Sequence, residues 1–318
     1  MLRQVIPSAA SDVLAVEAVD LVKDFGDTRA VDGVNLAVPH GSIYGLLGPN
    51  GAGKTTTLRM LIGIIDPSSG IRRVLGRARP LEAAAEIGYL PEERGLYPAM
   101  QAREAIAFMG ALRGLPLAEG RRRADALLAE HNLEEWAKKP IRTLSKGMAQ
   151  TVQLLGTIIH KPRLIVLDEP FSGLDAINQA RLEEMIRREA RAGATIIFST
   201  HVIAHAERLC EQVAIIAKGK VVFDGRVDEA RARLRPIVRL RTRAIDGEWR
   251  SAIPATARRE ADEWVFELPE GGPEPLLKAL IDGCAGIETL AIERPGLHDA
   301  FVAIAGNSAA AQMSEGKL

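Results

Sequence analysis

Cysteine is scarce: the 318 residues hold two, Cys210 and Cys284, far apart and with no Cys-x-x-Cys pair. Neither a disulfide framework nor a thiolate zinc site is expected, and a reducing compartment is the default. Net charge is missing as well. The 41 Lys and Arg cancel the 41 Asp and Glu, so no global basic field exists to hold nucleic acid or an anionic membrane. Long apolar runs are also lacking. A spanning helix needs about 18 apolar residues in succession, and the best runs, at 164–167 and 195–198, are far shorter. Met1 to Pro7 carry no sustained apolar core and no cationic cluster, which makes a poor secretory signal.

What is present is ordinary globular material: 47% hydrophobic and 26% charged residues over a length with room for about two domains. Val13 to Val22 and Val34 to Val38 read as strands around a Gly26-Asp27 turn. Ser42 to Leu47 is a compact strand that enters a glycine-rich loop, and Thr55 to Ile65 continues as helix. From Pro98 to Ile141 the texture turns helical. Leu164 to Leu167 and Thr195 to Phe198 are continuous apolar runs that suit strands buried on both faces of a parallel sheet, with Gln179 to Arg191 as the crossover helix. Ala214 to Ala217 and Val221 to Phe223 form a closing pair. Asp228 to Arg235 reads as a charged helical link. Beyond it the pattern is smaller in scale: strands at Ile237–Leu240, Trp264–Leu268 and Ile287–Ile292, with helices at Glu274–Ile281 and Leu297–Ala305.

The glycine-rich loop is Gly48-Pro49-Asn50-Gly51-Ala52-Gly53-Lys54-Thr55, which satisfies G-x-x-x-x-G-K-[ST]. Its glycines let backbone N–H groups turn inward around phosphate oxygens, and the helix start at Thr55 adds partial positive charge. Lys54 can reach the β- and γ-phosphates, and the Thr55 hydroxyl is placed for Mg2+. A dinucleotide fingerprint fails, because it would require glycine where Thr56 stands. The apolar strand from Leu164 ends in Asp168-Glu169. Ligands gather outside the carboxyl ends of strands in such sheets. Asp168 therefore belongs beside Thr55 and the metal, and Glu169 belongs where it could orient or deprotonate an attacking water.

In this order the motifs resemble the ATP-binding subunit of ABC transporters. Leu144-Ser145-Lys146-Gly147-Met148 is similar to the family's signature, Ser172-Gly173-Leu174-Asp175 to its D-loop, His201 to its switch histidine, and Phe25 to its adenine-stacking aromatic. The resemblance implies an α/β P-loop NTPase of ABC ATPase fold, with an antiparallel β subdomain and a helical subdomain, plus a small α+β C-terminal domain. The corresponding ranges are 13–227 for the ATP-binding domain (helical part about 92–160), 228–235 for a linker, 236–306 for the accessory domain and 307–318 for a flexible tail. It implies ATP and Mg2+ as cofactors. Glu169 and His201 are then catalytic; Phe25, Asn50, Gly51, Gly53, Lys54, Thr55, Thr56, Ser145 and Gly147 bind nucleotide; Thr55, Asp168 and Glu92 hold metal. Ser145 is also a plausible N-cap by itself, which would make Lys146 to Ile159 a helix with a second anion-binding start.

Two residues depart from the family pattern. Lys146 stands in the place of one residue of the usual Gly-Gly pair, and Glu92, after Tyr89-Leu90-Pro91, stands where glutamine is frequent; a carboxylate there can still ligate Mg2+. The family further implies a head-to-tail homodimer, or a paired ATPase subunit, in which each signature caps the partner copy's ATP. It implies a separate transmembrane permease that receives the surface around Glu92–Glu104, a place at the cytoplasmic face of the inner membrane, and export of the drug or sodium type. No nucleic-acid partner is expected. The alternative is a soluble, non-transport ABC-type ATPase that acts on the ribosome or DNA.

Overall fold

β1 (Leu14–Phe25) and β2 (Thr28–Pro39) form an antiparallel hairpin closed by Gly26-Asp27, with Phe25 opposite Thr28. The computed structural model describes residues 14–315 other than 94 and 245, with side chains described to residue 306; Val13 and the end of the expected tail lie outside the described residues. β3 (Ile43–Leu47) enters the glycine-rich loop, and α1 (Lys54–Leu61) follows it. The helix stops four residues before Ile65, because Gly63 takes a left-handed φ of 79° and ends it. β4 (Ser69–Val74), which the sequence pattern did not mark, returns to pair with β1.

β5 (Ile87–Leu90) leads into a helical layer of α2 (Ala102–Ala111), α3 (Leu117–Glu130) and α4 (Lys146–Ile158). β6 (Leu164–Asp168), α5 (Ala176–Arg191), β7 (Thr195–Thr200) and α6 (Ile203–Leu209) come next, and β8 (Gln212–Ala217) and β9 (Lys220–Arg226) close the unit. The large sheet has the order β5-β6-β7-β3-β8-β9, parallel except for the final β8–β9 hairpin. Every residue of β6 and β7 is buried, as continuous apolar runs require. The three-stranded sheet has the order β2-β1-β4. Leu58, Met60 and Leu61 of α1 pack in one core with Val16 and Val34 from that sheet and Val166 and Ile197 from the larger one. The first turn of α1 is thereby fixed at the carboxyl edge of β3.

The chain divides into two compact units, the second of which spans Val227–Gly306. The second starts with α7 (Val227–Arg231), shorter than the expected link, and builds a sheet from β10 (Ile237–Thr242), β11 (Arg258–Glu260), β12 (Glu263–Glu267) and β13 (Ile287–Glu293) in the order β11-β12-β10-β13. α8 (Pro273–Asp282) places Leu276 and Leu280 against Val238, Leu240, Trp249 and Phe266, a small core of its own. β11 is a strand with all its residues exposed, invisible to an apolar pattern. α9 (Leu297–Glu315) continues beyond Ala305 as helix, where the sequence suggested a loose tail.

Candidate functional site

The loop after β3 is braced by the β8–β9 turn, which β2 itself holds. Asp32 N–H donates to the Gly219 carbonyl at 2.8 Å, and Gly219 N–H donates to the Ala52 carbonyl at 3.0 Å, so Gly219 links β2 to the loop. Gly51 and Gly53 have φ of 79° and 101°, and a Cβ on Gly53 would stand 2.6 Å from the Ala30 carbonyl oxygen. No side chain caps the start of α1. Its first-turn N–H groups are left for a ligand, with the positive end of the helix dipole behind them. Lys54 is buried and donates to the carbonyls of Gly48 and Pro49 at 2.8 and 3.2 Å. The loop opens on a cleft of ≈ 380 Å3 lined by Ala30, Asn50, Gly51, Ala52, Gly53, Lys54, Thr55, Thr56, Glu92 and Glu169.

The carboxylates arrive from β6, two strands away from β3. The Thr55 hydroxyl donates to Asp168 Oδ1 at 2.9 Å, and the Ser199 hydroxyl donates to the same oxygen at 2.7 Å. Asp168 is fully buried, and its Oδ2 has no partner among the described residues. Glu169 turns the chain with φ of 46°. Pro170 follows it and disfavours the right-handed helical region; the left-handed one costs about 1–3 kcal/mol. The turn places Glu169 Oε1 3.2 Å from Lys54 Nζ and Oε2 3.0 Å from His201 Nδ1, in a site where Glu169 is only 7% exposed. When the carboxylate accepts this bond, His201 Nδ1–H is the donor and Nε2 is left available. Burial raises the phenol of Tyr89, the residue before the end of β5, above its ordinary pKa.

Thus Asn50, Gly51, Gly53, Lys54, Thr55, Thr56, Glu92 and Glu169 share one cleft, with Asp168 and His201 joined to it through hydrogen bonds. Phe25 does not line that cleft; it is half exposed at the hairpin tip, with the Lys23 ammonium 5.2 Å from its ring centre. Ser145 and Gly147 do not line it either. Ser145 is the N-cap of α4, its Oγ accepting from Met148 N–H at 3.3 Å. A Cβ on Gly147 would collide with the Asn178 amide, and one on Gly173 (φ 67°) would land on the Lys146 ammonium, so the start of α4 packs against the first turn of α5 and the turn before it. His205 is structural: its ring stacks on Phe171 at 3.9 Å, and its Nδ1 lies 3.0 Å from the buried Glu183. Ser199 escaped sequence reading. No motif contains it, and only the parallel register that sets it beside Asp168 reveals it.

Among the described residues no helix is long and apolar enough to cross a membrane. The family model for ABC transporters matches residues 31–172. The chain is 35% identical over 292 residues to the uncharacterized ABC transporter ATP-binding protein YhaQ of Bacillus subtilis, covering 89% of this chain and 95% of that protein. It is 30% identical over 309 residues to the daunorubicin/doxorubicin resistance ATP-binding protein DrrA of Streptomyces peucetius, covering 93% of each. A solved ATP-binding subunit of an ABC transporter superposes with a TM-score of 0.64 at 32% identity, over 69% of this chain and 92% of that one. The unmatched remainder of the chain is comparable in size to its second unit, whereas YhaQ and DrrA are matched over nearly their whole length. The chain therefore belongs to the ATP-binding subunits of ABC transporters, and it carries an ABC ATPase domain that binds ATP.

Proposed function

We propose that the chain hydrolyses Mg2+-ATP as one copy of a homodimer that drives export through a separate transmembrane permease, docked at the cytoplasmic face of the membrane. The observation that carries the hydrolytic reading is the Glu169 carboxylate held at 3.2 Å from Lys54 and 3.0 Å from His201. A buried carboxylate so placed takes the proton of an attacking water, and His201 fixes its aim. Lys54 binds the phosphates, aided by the N–H groups of Gly51, Gly53, Thr55 and Thr56. The residues present fit a hard divalent cation: Asp168 keeps one buried, unpartnered oxygen beside the Thr55 hydroxyl. Thr55, Asp168 and Glu92 would hold Mg2+, which offsets phosphate charge when bound.

Ser145 and Gly147 lie outside the lining of the Lys54 cleft, which supports their use by a second copy: an N-capped helix start of 13 residues offers its dipole to the partner copy's phosphate. Phe25, at the hairpin tip close to Ala30 of the cleft, would supply a ring to adenine. The exposed Tyr97, Phe108 and Leu112, around and just after 92–104, give the permease an apolar surface. Export is supported by DrrA, a drug-resistance protein by name.

The test is Glu169→Gln. It should retain ATP, accumulate as a nucleotide-locked dimer in size-exclusion chromatography, and lose most turnover. ATP bound by a strictly monomeric Glu169→Gln protein would overturn the two-copy reading, and normal turnover would overturn the base.

A further inference from the structure

We propose that Ser199 is a positioning residue for hydrolysis, one that fixes the plane of Asp168 and the aim of Glu169. This rests on the reading of Glu169 as the base.

β6 and β7 run parallel with Asp168 beside Ser199, and their pairing ends there. Glu169 leaves the ladder with φ of 46°, so its N–H no longer has the carbonyl that a continued strand would offer. A buried N–H without an acceptor is costly. The Ser199 oxygen accepts that N–H at 2.9 Å, while its own proton goes to Asp168 Oδ1 at 2.7 Å. One hydroxyl with no solvent exposure is thus used in both directions.

The consequences reach both carboxylates. Thr55 donates to the same Asp168 oxygen at 2.9 Å. Two donors on Oδ1, from different elements, restrain the carboxylate plane and keep Oδ2 as the oxygen without a partner among the described residues. On the other side, anchoring the Glu169 N–H stabilises the left-handed turn that carries its side chain to Lys54 and His201. The sheet itself does not need the hydroxyl. Phe198 and Ile197 are buried neighbours on the same strand, and an alanine or valine at 199 would satisfy the ladder equally well.

The experiment uses the full chain with Ser199→Ala and Ser199→Thr. In Ser199→Ala, kcat for Mg2+-ATP falls by about 10- to 100-fold, the scale of one orphaned buried donor expressed in the transition state. KM for ATP moves by less than about threefold, and the Mg2+ concentration for half-maximal rate rises. In the nucleotide-free protein, amide exchange of the 164–172 segment becomes faster. Ser199→Thr keeps the hydroxyl and recovers kcat to within about threefold of the parent. Should the alanine variant fail to fold, Ser199→Cys, with its weak donor, takes its place with the same expectation. The proposal falls if the alanine or cysteine variant keeps kcat within about twofold of the parent, if alanine and threonine variants lose equally, or if segment exchange is unchanged. A misassigned base shows itself elsewhere: the Glu169→Gln protein would then turn over ATP at the parent rate, whatever Ser199 does.

Discussion

Replacing Gly53 by alanine tests how tightly the phosphate loop is built. At φ of 101° an L-residue carries backbone strain of about 1–3 kcal/mol. Its Cβ would also stand 2.6 Å from the Ala30 carbonyl oxygen, a backbone atom of β2 that cannot rotate away as a side chain can. Together these put the loss at roughly 2–4 kcal/mol. Gly51→Ala is the control: φ is 79°, but among the described residues nothing lies within 4 Å of its Cβ, so strain alone costs about 1 kcal/mol. For a unit of this size, 1 kcal/mol moves the melting point by about 2–4 °C. Scanning calorimetry of nucleotide-free protein should therefore show a fall of about 5–15 °C for Gly53→Ala and about 2–4 °C for Gly51→Ala. Because Gly53 leads directly into the uncapped first turn of α1, its alanine variant should also weaken equilibrium ATP binding by more than about tenfold. Equal melting points for the two variants would refute the claim that contact with β2 shapes the loop.

Lys54→Ala removes the ammonium that now spans Gly48, Pro49 and Glu169, and ATP affinity itself should collapse in a filter-binding or calorimetric titration. Glu92→Gln, on an exposed lining residue, should weaken apparent Mg2+ affinity by about two- to fivefold with a smaller effect on ATP; unchanged Mg2+ dependence would remove Glu92 from the metal set. Burial holds both His160 and His131 below the ordinary histidine pKa. The unfolded chain then takes up protons first as pH falls through about 6.5, so the stability contributed by these neutral, buried rings is lost as pH falls below that value. His160→Gln, whose amide can still donate to the Ile87 carbonyl that His160 Nε2 reaches, should flatten the melting-point slope below about pH 6.5; an unaltered slope would contradict the assignment.

The fold was legible in the sequence wherever one local rule was enough. The apolar runs that became β6 and β7, the Gly-rich turn into α1 and the Ser145 cap of α4 follow from burial, phosphate-loop chemistry and an orphaned helix N–H, all of them short-range. β4, with the pattern Ser-Gly-Ile-Arg-Arg-Val, and the fully exposed β11 escaped, because a strand stabilised by its neighbour's hydrogen bonds needs no apolar signature of its own.

The site divides in the same way. Sequence alone supplied the chemical groups: Lys54, Thr55, Asp168, Glu169 and His201, each named by a motif. Tertiary structure decided what those groups face. Parallel registry brought Ser199 under Asp168, the left-handed turn at Glu169 put one carboxylate between a lysine and a histidine, and Phe25 ended at an exposed hairpin tip outside the cleft. Spacing along a chain fixes which residues share a strand or a helix, whereas distances across a sheet depend on strand order, and strand order is set by how the whole core packs.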